Sequence, residues 1–90
     1  MNVILPRNGR IFVSGNYLWY KDGILHREDG PAIVYAVGTK YWFINGKLHR
    51  VDGPAIEWTD GTKMWYLDGE QIECNTNKKF LRIVKLKAFW

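Results

Sequence analysis

Two consecutive segments of this 90-residue chain, residues 24–46 and 47–69, are identical at 13 of their 23 aligned positions. Residues 1–23 keep only a tryptophan and two glycines of the pattern in register, so we interpret them as a degenerate first copy. Tandem copies of one short unit stack against their neighbours and share a core. A chain of this length therefore forms one small repeat domain, and a multi-domain enzyme is excluded.

Each copy contains two segments rich in β-branched and aromatic residues, which are typical of strands. In the last copy these are residues 55–59 and 63–67, and Asp60-Gly61 between them is typical of a two-residue type I′ turn. A second turn follows the second strand of each copy, at Asp22-Gly23, Asn45-Gly46 and Asp68-Gly69. We predict a mainly β fold, an antiparallel β-meander of about three 23-residue hairpin repeats, over residues 1–23, 24–46 and 47–69.

The predicted turn also sets a register and assigns side chains to faces. A two-residue loop at Asp60-Gly61 pairs Ile56 with Trp65 and Trp58 with Lys63. One face then carries Ile33, Tyr35, Trp42, Ile44, Ile56, Trp58, Trp65 and Leu67, with Phe12 and Trp19. The other carries Leu18, Tyr20, Val34, Tyr41, Phe43, Met64 and Tyr66. Both faces are apolar, so a further element must cover one of them.

The positive charge lies at the C-terminal end of the chain. Residues 1–77 hold eight Lys and Arg against nine Asp and Glu, whereas residues 78–90 hold five Lys and Arg and no acid. The apolar residues of this end, among them Phe80, Ile83 and Val84, recur at helical spacing, although a partial alternation leaves a strand as the alternative. We predict a basic amphipathic C-terminal helix.

The predicted domain organisation follows from this contrast. A β-repeat sheet occupies residues 1–73, and the helix lies within residues 74–90, with its first cap among Asn75, Thr76 and Asn77. Packed on the sheet, the helix would cover one face and leave the other for solvent, a second subunit or a partner.

The residues that join successive copies form a fourteen-residue pattern, W-Y-x-N-G-x-x-H-R-x-D-G-P-A. One copy of the pattern runs from Trp19 to Ala32 and a second from Trp42 to Ala55. A partial third copy starts at Trp65. The pattern resembles the MORN repeat, most closely the variant found in phage and large-virus proteins. The resemblance covers roughly residues 15–69. It implies an elongated sheet that serves as a protein-interaction scaffold, with lipid binding proposed for some relatives and no shared enzymatic activity.

The strongest polar constellation is the repeated His-Arg-x-Asp element, with His26 and Asp29 in one copy and His49 and Asp52 in the next. A His–Asp pair could ligate a metal or act as a base, but a divalent metal site needs three or four converging ligands. A structural role is more economical: Asp can accept backbone N–H bonds in its turn, and His and Arg can bond neighbouring carbonyls or the Asp itself. We therefore predict no catalytic residue, no metal site and no cofactor.

Two further patterns have alternative interpretations. Lys40 and Lys63 fall opposite Tyr35 and Trp58 in the predicted register, which fits either cation–π contacts or solubilising charges. An aromatic sheet face could also stack nucleic-acid bases, but the body of the chain lacks the basic groove that would bind phosphates. Nucleic acid and membrane are therefore disfavoured as partners.

These patterns predict a non-enzymatic protein-interaction module. The resemblance implies a phage-type accessory protein that inhibits or redirects a host protein, for example one involved in defence. Exposed aromatics and Met are typical binding anchors, so the expected partner-binding residues are Tyr41, Phe43, Met64 and Tyr66, with Arg27 and Arg50 at the rim. Homo-oligomerisation is also expected from the two apolar faces. The alternative is a binder of an anionic ligand, whether nucleotide, nucleic acid or acidic lipid, through the aromatic face and the basic tail.

The sequence also predicts a location. The single Cys74 cannot form an internal disulfide, which favours a reducing compartment. The first residues lack a signal-peptide pattern, and no apolar run reaches the length of a membrane span. We expect a cytoplasmic protein, in the host cytoplasm if it is viral.

Overall fold

The structure, a computed structural model, describes residues 7–87. Within that range ten strands precede a single helix. The strands are β1 (Gly9–Val13), β2 (Asn16–Lys21), β3 (Ile24–Leu25), β4 (Ile33–Val34), β5 (Lys40–Tyr41), β6 (Phe43–Ile44), β7 (Lys47–Leu48), β8 (Ile56–Glu57), β9 (Lys63–Leu67) and β10 (Glu70–Ile72), and the helix is α1 (Asn77–Lys87). The predicted mainly β meander with a C-terminal helix is confirmed.

The strands pair antiparallel into a thin, elongated sheet. Its hydrogen-bonded order is β1-β2-β4-β5-β8-β9-β10, with β3 also paired to β2 and β6 paired to β7 as a separate hairpin. Backbone bonds join that hairpin to its neighbours: Arg27 N–H donates to the Phe43 carbonyl at 3.1 Å, and Arg50 N–H donates to the Tyr66 carbonyl at 3.3 Å. Each of these two bonds lies within one repeat, whereas the pairing of β2 with β4 and of β5 with β8 joins successive repeats.

The second turn of each repeat has the predicted geometry. Asn45 and Gly46 both have positive φ, 51° and 77°, as a type I′ turn requires. The same pair of positive values recurs at Asp22-Gly23 and Asp68-Gly69, and also at Ser14-Gly15 between β1 and β2. Asn, Asp and Gly tolerate this left-handed region, which explains why the repeat keeps them at these positions.

The other turn differs from the prediction by one residue. Gly61 has φ of 90° but Asp60 is not left-handed, and Trp58 N–H donates to the Thr62 carbonyl at 2.9 Å. The loop therefore contains three residues, with Gly61 in the left-handed position that closes such loops. As a result Ile56 pairs with Met64 and Glu57 with Lys63. The predicted register, Ile56 with Trp65, is wrong by one residue.

This one-residue change moves part of the apolar set to the other face, because side chains alternate along a strand. Ile33 and Ile56 align with Tyr41, and Ile56 aligns with Met64. The prediction that the two isoleucines share a face with the tryptophans is therefore wrong. We call the two sides the tyrosine face, which carries Leu18, Tyr20, Ile33, Tyr41, Phe43, Ile56, Met64 and Tyr66, and the tryptophan face, which carries Phe12, Tyr17, Trp19, Val34, Trp42 and Trp65.

The same register overturns the predicted lysine contacts. Lys40 aligns with Val34 and with Glu57, and Lys63 also aligns with Glu57. The lysines thus do not lie opposite Tyr35 and Trp58. Cation–π contacts do occur among the described residues, but arginines make them, as shown below.

Helix α1 forms where the sequence favours it. The Thr76 hydroxyl accepts a hydrogen bond from Lys79 N–H at 3.2 Å, so Thr76 caps the first turn. Phe80 is completely buried, Ile83 and Val84 are half-buried, and the exposed side carries Lys78, Lys79, Arg82 and Lys85. The helix interpretation is confirmed. No helix among residues 7–87 has the length and apolar character that crossing a bilayer requires.

The helix covers less of the sheet than predicted. Its Phe80 ring lies 6.3 Å from the Trp65 ring, centre to centre, and the Trp65 indole N–H donates to Asn77 Oδ1 at 3.1 Å. These contacts are at one end of the tryptophan face. Trp19 and Trp42 are covered instead by the loops that follow β3 and β7. The prediction that the helix alone covers one face is therefore corrected.

Candidate functional site

The most regular side-chain arrangement is an arginine clamp on the tryptophan face. The guanidinium carbon of Arg27 lies 3.9 Å from the centre of the Trp19 ring, and that of Arg50 lies 4.0 Å from the centre of the Trp42 ring. A guanidinium stacked on an indole gains cation–π energy, and more so where the pair is partly desolvated. Each clamp joins the tryptophan of one repeat to the loop that leads into the next.

Hydrogen bonds fix the plane of each guanidinium. Arg27 donates from Nε to Asp29 at 2.8 Å and from Nη1 to the Pro31 carbonyl at 3.2 Å. Arg50 repeats both bonds, to Asp52 at 2.9 Å and to the Pro54 carbonyl at 3.1 Å. The predicted structural role of the Asp-Gly-Pro element is thus visible in its bonds. The bonds from Nε and Nη1, together with the stacking, hold each arginine in place.

The glycine of Asp-Gly-Pro is required for space. A Cβ atom on Gly30 would lie 2.8 Å from the Arg27 Cζ, and one on Gly53 would lie 2.7 Å from the Arg50 Cζ. Neither glycine has positive φ. The backbone therefore lies directly against the second face of each guanidinium, which is enclosed between an indole and a glycine.

The histidines attach the other end of each loop to the second turn of the same repeat. His26 Nδ1 accepts a hydrogen bond from Asn45 N–H at 2.9 Å, and His49 Nδ1 accepts one from Asp68 N–H, also at 2.9 Å. The donors are left-handed residues of the type I′ turn that ends the same repeat. The sequence predicts that the histidines bond carbonyls or the nearby aspartate; instead they accept bonds, so Nδ1 must be unprotonated in this arrangement.

The first repeat contains the same connection with a different residue. Asn8 Oδ1 accepts a hydrogen bond from Asp22 N–H at 3.1 Å, and the Arg7 carbonyl accepts one from Gly23 N–H at 2.7 Å. Leu25 and Leu48 carbonyls accept the matching bonds from Gly46 and Gly69. Asn8 thus occupies the role of His26 and His49. Alignment at a 23-residue spacing misses it, because the first repeat lacks the Asp-Gly-Pro-Ala loop.

A groove of about 660 Å³ separates the two clamps. Arg27 and Asp29 lie on one wall, Arg50 and Asp52 on the other, and Trp42 contributes to the lining. Each arginine is already paired with an aspartate, so the charges that line the groove largely compensate one another. The groove offers shape and an aromatic surface more than a charged binding site.

Among residues 7–87, three titratable groups have shifted pKa values. The hydrogen bond from Arg27, and then its positive charge, lower the pKa of Asp29 from its ordinary value. A hydrogen bond from Thr62 lowers the pKa of Asp60 in its turn. Burial, and then the charge of Glu73, raise the pKa of the Cys74 thiol. The two aspartates are shifted by bonds that shape loops, and Cys74 is shifted towards the less nucleophilic protonated form.

The described residues contain no cluster of three or more His, Cys, Asp or Glu side chains arranged to hold a metal ion. His26 is buried, with its Nε2 3.4 Å from Glu28, and His49 contacts Asp68. In both copies the polar groups of the His-Arg-x-Asp element bond to one another or to backbone groups. This arrangement builds the loops of the repeat.

The predicted partner-binding residues divide between the two faces. Tyr41, Phe43, Met64 and Tyr66 lie together on the tyrosine face, each half-buried. The Tyr41 ring stacks on Phe43 at 6.3 Å and meets Tyr35 edge-on at 5.5 Å. Arg27 and Arg50, predicted at the rim of this surface, stack on tryptophans of the opposite face. The structure thus places the four anchors on one face and the two arginines on the other.

The comparisons with known proteins add no relative to this description. The chain matches no family model, and comparisons with curated proteins and with solved structures likewise give no match.

Proposed function

We propose that this chain is a non-enzymatic protein-interaction module built from MORN-like repeats, which binds a protein partner through its tyrosine face. The observation that carries the proposal is the row of half-buried aromatic and sulfur-containing side chains on that face: Tyr41, Phe43, Met64 and Tyr66. As the resemblance suggests, the partner is a host protein that a phage-type accessory protein inhibits or redirects.

The aromatic row is held in place before any partner binds. Tyr41 contacts the rings of both Tyr35 and Phe43, and its strand is paired on each side, to Ile33 and to Ile56. Rigid aromatic side chains lose little conformational entropy on binding, which is why they dominate the energetics of protein interfaces. A row of this kind on a stiff sheet therefore suits a protein surface.

The two faces of the sheet have different tasks in this proposal. Loops, clamps and α1 cover the tryptophan face, where Trp65 is buried beneath Phe80. The tyrosine face is the opposite side, so binding there leaves the repeat contacts intact. We propose no catalysis because the candidate polar side chains form hydrogen bonds that hold the repeat together. These side chains are His26, His49, Asp29 and Asp52.

The anionic-ligand alternative is less well supported by the geometry. It requires one ligand to contact the aromatic anchors and the basic helix together. The helix packs through Phe80 on Trp65, which lies on the tryptophan face, while Tyr41 and Phe43 lie on the other. A ligand on the anchors would therefore not meet the lysines of α1 on the same surface.

Affinity purification followed by direct binding tests the proposal. The full chain is used as bait in a bacterial extract, and each captured protein is then purified and titrated against the chain by calorimetry. We expect the double variant Tyr41→Ala with Tyr66→Ala to weaken that binding by at least about tenfold. The matched control Tyr17→Ala removes a half-buried strand tyrosine from the opposite face and should leave the affinity unchanged.

The same titration separates the two candidate functions. Binding through an aromatic surface changes little with salt, whereas binding to phosphate groups weakens steeply as salt rises. Full affinity of the double variant, or a steep salt dependence combined with loss of binding when Lys78 and Arg82 are replaced by Gln, would refute the tyrosine-face proposal. Circular dichroism of every variant confirms that the fold is retained.

A further inference from the structure

Strand β1 is an edge strand of the sheet in the part of the chain that the structure describes. Among residues 7–87, Gly9–Val13 pairs with β2 and with no other strand. Its side chains are unusually apolar for such an edge: Phe12 is 61% exposed and Val13 is 38% exposed. A regular edge strand with free backbone groups is a ready template for pairing with another strand.

The turn after β1 determines which backbone groups are free. Ser14 and Gly15 form a two-residue turn with φ of 53° and 83°, so Val13 and Asn16 are its closing pair. Hydrogen-bonded and non-hydrogen-bonded pairs alternate from there, and Val13, Ile11 and Gly9 use their backbone groups towards β2. The N–H and C=O groups of Arg10 and Phe12 therefore point outwards.

The opposite end of the described sheet is strand β10, beside the C-terminal helix. There β10 pairs with β9, and α1 packs through Phe80 on Trp65. The two ends also cannot join head to tail. Arg7 and Asn8 bond to the turn at Asp22-Gly23 in the same way as Leu48 and His49 bond to the turn at Asp68-Gly69. They therefore fill the place beside β2 that β10 of a second copy would need in a head-to-tail contact. An added strand at β1 must come from elsewhere.

We propose that two copies of this chain pair antiparallel through β1, about a two-fold axis at Ile11. This register places Arg10 of one copy opposite Phe12 of the other, and both residues have outward backbone groups. Two such pairs exchange four backbone hydrogen bonds. The register also places Gly9 opposite Val13, so no two like charges oppose each other, and the exposed Phe12 ring gains a guanidinium neighbour.

The register is self-complementary, and this favours a second copy over an unrelated peptide. Antiparallel pairing about Ile11 uses one surface twice and closes on itself, as in a two-fold dimer. Arg10 is already positioned on this side of the sheet, with its guanidinium carbon 4.9 Å from the Tyr17 ring centre. The dimer would form one continuous sheet and leave both tyrosine faces available.

Light scattering after size exclusion tests the dimer. We expect the full chain to elute with twice the monomer mass and Phe12→Pro to elute as a monomer, because proline removes an outward N–H that β2 does not use. Phe12→Val keeps that N–H and should remain dimeric. A monomeric wild-type chain at high micromolar concentration, or equal loss of the dimer in both variants, would overturn the proposal.

A disulfide test checks the register without disturbing the pairing. In a Cys74→Ser background, Ile11→Cys places two thiols on the two-fold axis at a non-hydrogen-bonded pair, where Cα atoms are about 4.5 Å apart. We expect rapid formation of a covalent dimer under mild oxidation. Val13→Cys is the matched control, since its two copies would lie about 13 Å apart along the strands and should stay reduced. Equal cross-linking of the two variants, or none of Ile11→Cys, would overturn the register.

Discussion

The Arg50 guanidinium lies flat on the Trp42 ring, 4.0 Å from its centre, and Gly53 covers its other side. The same arrangement joins Arg27, Trp19 and Gly30 in the previous repeat. One physical requirement thus explains three positions of the repeated motif. The tryptophan supplies the surface on which the arginine stacks. Glycine is required because any side chain at its position would collide with the guanidinium.

Replacing this glycine should be costly because of the arginine. Gly53→Ala would place a Cβ 2.7 Å from the Arg50 Cζ, so the guanidinium must leave the Trp42 ring or the loop must move. We expect the free energy of unfolding to fall by about 1–3 kcal/mol, the usual cost of overpacking. Urea unfolding followed by tryptophan fluorescence measures it.

A double-mutant cycle identifies the cause of that loss. In an Arg50→Ala background the alanine at position 53 meets no guanidinium, so Gly53→Ala should cost much less there than in the wild-type chain. An equal cost in both backgrounds would show that Gly53 acts through its backbone alone.

The periodicity of the sequence predicts the meander, the type I′ turns and the helix because each depends on local patterns. Phe80, Ile83 and Val84 sit at helical spacing, and Asn45-Gly46 allows both left-handed angles of its turn. The register between β8 and β9, by contrast, depends on whether Asp60 adopts a left-handed φ. Asp60-Gly61 fits a two-residue loop and a three-residue loop equally well in sequence, and the difference moves Ile56 to the other face.

Contacts that the loops make are harder to predict from sequence than the strands, the turns and the helix. The stacking of Arg27 on Trp19 joins residues from two repeats through a loop whose path the sequence does not determine. Asn8 takes the role of His26 at a different spacing, which no alignment of equal-length repeats would find. Both signals are visible only after the chain is folded.

The two histidines should differ in their contribution to stability. His26 is buried and accepts a bond from Asn45 N–H, whereas the matching bond of His49 to Asp68 N–H is exposed to solvent. The bond to His26 is part-buried, so losing its acceptor should cost part of the roughly 1–3 kcal/mol of an unsatisfied buried donor, while an exposed donor can bond water instead. We therefore expect His26→Leu to lower the melting temperature more than His49→Leu, as calorimetry would show. Equal or reversed losses would contradict this ranking.

Asp29 should make stability depend on pH in the acid range. Its pKa is lowered in the folded chain, chiefly by the hydrogen bond from Arg27, so the folded state holds the proton less tightly than the unfolded state. The resulting contribution is present above the ordinary pKa of 3.8 and is lost as the pH falls through the lower, folded value.

The measurement compares urea midpoints of wild type and Asp29→Asn between neutral pH and strongly acidic solution. The two midpoints should converge as the pH falls. In an Arg27→Gln background the same substitution should leave the pH dependence nearly unchanged, because the partner that lowers the pKa is gone. A gap between wild type and Asp29→Asn that persists at the lowest pH would contradict this assignment.

Cys74 should react slowly with thiol reagents in the folded chain. Burial raises the pKa of its thiol, and the thiolate is the reactive form. We expect the reaction with a neutral disulfide reagent at slightly alkaline pH to be faster after unfolding in urea. Glu73→Gln should accelerate the reaction of the folded chain modestly, since the nearby negative charge also raises this pKa. A folded rate equal to the unfolded rate would contradict the prediction.

Two neighbouring residues of α1 allow a direct test of how the helix covers the sheet. Phe80 is fully buried against Trp65, while Leu81 is 44% exposed. Phe80→Ala should lower the free energy of unfolding by about 3–5 kcal/mol, the range for deleting a buried aromatic ring. Leu81→Ala is the matched control on the same helix, and alanine keeps the helix propensity high, so its effect should stay within about 0.5 kcal/mol. Urea unfolding followed by circular dichroism gives both values. Similar losses for the two variants would show that the helix is held by its own propensity and not by the contact between Phe80 and Trp65.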